Sequence, residues 1–152
     1  MTTAAALARL AIELSGSPAD PRSLAAIEAA ERGELTPSVL SGAASAEAEA
    51  ALSDDHGARV AAGAAARLDR DAAEVAAWAV DAAFYRLATV EQRAAEAGDT
   101  VGQLMASASI PTVVRYAIWR VREILPGFRP TDEQRAYATR VPSAFGETLA
   151  DE

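Results

Sequence analysis

Residues 71–98 read DAAEVAAWAVDAAFYRLATVEQRAAEAG, and this stretch decides the fold. Val75, Trp78, Ala82 and Tyr85 recur at steps of three and four, with Phe84 and Leu87 widening the stripe. That period is the mark of an amphipathic helix rather than a strand. Asp69 or Asp71 stands where an N-cap acceptor is needed, and Gly98 where a left-handed stop is cheapest. The spacing predicts one long helix reaching about Ala97.

The same punctuation recurs on both sides. A first helix is predicted over about 3–15, with Leu7, Leu10, Ala11 and Leu14 on one face and Gly16 closing it. Asp20-Pro21 and Thr36-Pro37 each place a cap acceptor before a proline at the first helical position; the helices they open carry Leu24 and Ile27, and Val39, Leu40 and Ala43. Asp54-Asp55-His56-Gly57 opens a fourth helix over about 55–68. Beyond the long helix, Asp99-Thr100 starts a short one through Met105, Pro111 opens another with Val114, Ile118, Val121 and Leu125 inside, and Thr131-Asp132-Glu133 starts a last one to about Arg140. No run alternates in the manner of a strand. The expectation is an all-α, single-domain bundle of seven or eight helices over residues 1–142, followed by a flexible acidic tail over 143–152.

Alanine supplies 40 of the 152 residues. It loses no side-chain entropy in a helix, and its small size lets helix axes approach closely. All 14 basic residues are arginine; there is no lysine and no cysteine, and His56 is the single histidine. That inventory removes most nucleophile, general-base and metal-ligand chemistry. Neither a Glu-x-x-His pair nor a Gly-x-Ser-x-Gly, phosphate-loop or dinucleotide motif is present, so no catalytic residue, cofactor or metal is expected. Asp54, Asp55 and His56 read as the charged start of a helix, and Glu74, Asp81 and Glu91 as a solvated helix face. The formal net charge of −8 disfavours nucleic acid, whose phosphates need a positive field. No stretch approaches the roughly 18 apolar residues of a membrane span, and no secretory leader opens the chain, so the expected setting is cytoplasmic.

One segment opposes the global charge. Residues 109–140 carry six arginines against three acids. Arg115, Trp119 and Arg122 fall at i, i+4 and i+7, sharing a helical stripe, with Arg129 just beyond. Tryptophan and arginine dominate interface hot spots, so these four residues are the candidate partner-binding set; the alternatives are internal pairing with the excess acids of the first hundred residues, with Trp119 at the core edge, and a phosphate or carboxylate ligand. Trp78 and Tyr85 are expected in the core, with a ligand pocket between them as the alternative.

Asp20-Pro21-Arg22, Ala26-Ile27-Glu28-Ala29-Ala30 and Gly33-Glu34 resemble the opening of a bacterial family of small alanine-rich helical proteins regarded as immunity proteins. The resemblance spans about 15 residues and transfers no site residue. It implies a protein that neutralises a toxin by binding it. The function expected from the sequence is therefore a non-enzymatic helical module that docks on another protein, a basic one being favoured by the net charge. The alternatives are a small helical subunit of a larger assembly or homo-oligomer, and a helical protein that binds a small ligand.

Overall fold

The computed structural model describes residues 2–140, and these form seven helices and no strand. They are α1 (Thr2–Ser15), α2 (Pro21–Glu31), α3 (Pro37–Ala50), α4 (His56–Ala66), α5 (Ala72–Glu96), α6 (Thr100–Ile124) and α7 (Asp132–Thr139). The expected tail over 143–152 lies outside the described residues.

Each helix from α2 onward starts on the residue type its backbone demands. Asp20, Thr36, Asp55, Asp71, Asp99 and Thr131 all accept a hydrogen bond from an amide of the first turn, satisfying donors that have no partner within the helix. Gly16, Gly33 and Gly98 follow α1, α2 and α5 with φ of 67°, 70° and 72°, a conformation that a Cβ would make costly.

α5 is the central element. It packs against α1, α4, α6 and α7, and its alanines 76, 79, 82 and 83 are buried together with Val75, Val80 and Phe84. Small residues on several faces let neighbours close in from different sides, while Leu7, Ile27, Leu68, Ile110, Val114 and Val121 fill the volume that alanine leaves. At the α4–α5 crossing a Cβ on Gly63 would stand 2.3 Å from the Trp78 ring. That contact needs glycine. Over the same ring lies the Arg67 guanidinium, 3.9 Å from its centroid. Arg67 also pairs with Glu47 at 2.9 Å and donates to the Gly63 carbonyl at 2.9 Å.

Two sequence expectations need correction. The separate sixth and seventh helices are one: α6 runs from Thr100 to Ile124 with Pro111 inside it. Proline in a helix interior removes one ladder hydrogen bond and costs about 3 kcal/mol. Here the buried stripe Ala106, Ile110, Val114, Ala117, Ile118 and Val121 continues across it, and Pro111 itself is buried, so packing on α5 outweighs the lost bond. The second correction concerns Asp81. It is half-buried beneath α7 rather than fully solvated, and Gln134 Nε2 donates to its Oδ1 at 3.0 Å. Burial, reinforced by the nearby Glu133 charge, raises its pKa against the opposing effect of the Gln134 bond.

Candidate functional site

The chain turns at Pro126-Gly127, and α7 comes back antiparallel against α6. An eight-residue helix has too few internal bonds to persist alone, and its attachment is visible residue by residue. Gln134, 1% exposed, donates to the Ala77 carbonyl at 2.8 Å as well as to Asp81. Its Oε1 accepts from Thr131 N at 3.1 Å and its own amide donates back to Thr131 Oγ1 at 3.1 Å, closing a capping box. One side chain thus starts α7 and ties it to α5. Tyr137 stacks on Phe84 with centroids 3.7 Å apart and planes within 4°. Its hydroxyl bonds Glu133, and its pKa is raised, by burial first and then by that carboxylate. Phe128, 4% exposed, plugs the turn.

Between the two helices this leaves a cavity of about 530 Å³. Arg115, Ile118, Trp119 and Arg122 line it from α6, Arg129 and Pro130 from the turn, and Arg135, Ala138 and Thr139 from α7. Four arginines and a tryptophan converge there, and among the described residues no carboxylate is in the lining. Trp119 is 58% exposed, an unusual amount of open apolar surface for its type. Arg122 Nε donates to the Phe128 carbonyl at 3.2 Å, which aims the guanidinium across the turn. Arg135 approaches the fully exposed Asp132 only to 3.9 Å. Among the described residues no carboxylate lies within ion-pair distance of Arg122 or Arg129. Arg120 is different. It points away from the cavity to Glu13 at 2.7 Å and to the Tyr116 hydroxyl at 2.7 Å, and these bonds raise its pKa.

The four residues expected to form a partner-binding set, Arg115, Trp119, Arg122 and Arg129, therefore line one groove. Arg135 was not among them. It enters from α7, the opposite wall, which the stripe on α6 does not announce.

Trp78 and Tyr85 stand apart from this groove. They lie two turns apart on α5 and line neither this groove nor the smaller cavity between α1, α2, α3 and α4. Trp78 is engaged by Arg67. Tyr85 meets Phe84 edge-on at 5.1 Å and lies 6.4 Å from the His56 ring. His56 is half-buried, its amide donating to Thr89 Oγ1 at 3.3 Å. Asp55 caps α4, accepting from Ala58 N at 3.0 Å and Ser17 Oγ at 2.7 Å. Among the described residues no cluster of three or more histidines or carboxylates is placed to hold a metal ion, and no helix is long and apolar enough to cross a membrane.

Comparison with known proteins returned no matching family model, no similar curated protein and no similar solved structure.

Proposed function

We propose that the protein is a non-enzymatic docking module, and that the groove between α6 and α7 is its contact surface. The supporting observation is the local reversal of charge: four arginines and a half-open tryptophan around a cavity lined, among the described residues, by no carboxylate, on a chain of net charge −8. Planar guanidinium groups take carboxylates in two parallel hydrogen bonds, and the indole offers a face for an apolar anchor. The groove suits a stretch of a protein partner that carries acidic side chains beside an aromatic or aliphatic one. The net charge points toward a basic partner; the groove argues for an acidic contact segment within whatever partner binds. The acidic remainder of the surface repels anions at large, so a partner would be selected by fit to the groove rather than by bulk charge. Neutralising a toxin by covering it is one form such docking takes.

A second reading has an observation of its own. About 530 Å³ falls within the range of small-molecule sites, roughly 300–1,000 Å³, so a small organic anion fits the same groove. Both readings are tested by titrating the protein with acidic peptides carrying one Phe and, separately, with small di- and tricarboxylates, following Trp119 fluorescence in a Trp78→Phe background. A peptide should bind, and Trp119→Ala with Arg122→Ala, read by calorimetry, should cost about 2 kcal/mol or more, roughly thirtyfold. The thermal midpoint should stay where it was. Unchanged affinity in that variant would remove the groove from the binding reaction; binding of the small anions alone would favour the second reading.

A further inference from the structure

We propose that the groove has a resident occupant in this same chain: residues 141–152, seated in cis. The segment reads VPSAFGETLADE and lies outside the described residues. Its composition complements the groove. It holds three carboxylates, Glu147, Asp151 and Glu152, and no base, with Phe145 and Leu149 as its large apolar side chains. Guanidinium forks take the carboxylates, and the Trp119 face takes a ring or a leucine.

Its point of departure is at the groove. Ala138 and Thr139, the last residues of α7, line the cavity. Arg140 ends the helix with φ −61° and ψ 134°, extended backbone that cannot prolong α7. An extended chain covers about 3.3 Å per residue, so Glu147, seven residues beyond Arg140, reaches up to roughly 23 Å. The whole of α7 is about 12 Å long at 1.5 Å per residue. Every arginine of the groove is therefore within reach of the segment's acids. A tether this short sets an effective concentration on the order of millimolar, so a contact too weak to hold a separate peptide is held in cis. The consequence is competition: a partner segment must displace the chain's own.

This inference rests on the groove being a carboxylate-binding surface, as proposed above, and adds what fills it. The test compares the full chain with its Glu147→Gln, Asp151→Asn, Glu152→Gln variant. The readouts are the nitrogen–proton NMR signals of the Trp119 indole and the Arg122 and Arg129 Nε groups, with Trp119→Phe fixing the indole assignment. The probe is the synthetic peptide SAFGETLADE, residues 143–152. Cis occupancy predicts that neutralisation moves the groove signals, and that the peptide binds the neutralised chain about tenfold more tightly than the wild type. Unmoved signals with equal peptide affinity for both chains would overturn cis occupancy and leave the docking reading standing. Unmoved signals with no binding to either chain would sink both. Signals that move while neither chain binds peptide would keep the cis contact and count against docking of a separate segment. Groove shifts in the wild type that depend on protein concentration would assign the occupant to a second copy, and so overturn the cis form.

Discussion

Asp81 shows how a single residue escapes a sequence reading. On its own helix it falls among polar neighbours and looks solvated; only the return of α7, more than fifty positions later in the chain, buries it. Its pKa is raised by that burial, so folding favours the protonated acid. The stabilising contribution of such a group is complete below the unfolded carboxyl pKa of about 3.9 and is lost as pH rises through the higher folded value. Above that value the native protein carries a charge that burial disfavours. Asp81→Asn keeps the Oδ1 that accepts from Gln134 and removes the charge. The variant should melt at a higher temperature than the wild type at pH 7, and the two curves should converge below about pH 4. Equal midpoints at pH 7 would show that the carboxylate is adequately solvated. The capping residues tell the opposite story. Asp20, Thr36, Asp71, Asp99 and Thr131 act on amides two or three positions away, so their roles were legible from sequence alone, save that Asp69 competed with Asp71 for the start of α5.

At the level of elements, locality again sets what could be read. Six helix starts and the all-α class follow from short-range chemistry. The continuity of α6 does not, because the partner that holds it together through Pro111 is the buried face of α5. Arg115, Trp119, Arg122 and Arg129 were legible as a set because three share one helical stripe; Arg135 was not, because it enters from the opposite wall. α7 is the element most exposed to loss. Eight residues long, it depends on Gln134 for both its cap and its tie to α5. Gln134→Ala leaves the Ala77 carbonyl and Asp81 without that donor, a cost of about 1–3 kcal/mol. Hydrogen exchange should show α7 amides losing protection while those of α1 to α5 keep theirs. Unchanged protection across α7 would mean that the Tyr137–Phe84 stack and Phe128 suffice.

Across the whole molecule, charge and packing are segregated. The alanine-lined core surrounds α5, while the arginine-rich groove sits at one edge, outside the α1–α4 packing. With Glu147, Asp151 and Glu152 neutralised as above, the clustered guanidinium groups of the groove repel one another, and salt screens that repulsion, with a Debye length near 3 Å at 1 M. In that background Arg129→Gln with Arg135→Gln should raise the thermal midpoint slightly at low salt, with the difference vanishing near 1 M sodium chloride. A fall of several degrees at low salt would mark these arginines as structural supports. The placement of α7 has one more outcome. One wall of the groove is also the helix with the fewest internal bonds, so anything that spans both walls stabilises α7 by mass action. Local opening of that helix is then a built-in reporter of occupancy: its exchange rate should track ligand concentration while the rest of the bundle stays silent. A partner could be found by screening for slowed exchange in eight residues, before its identity or its effect is known.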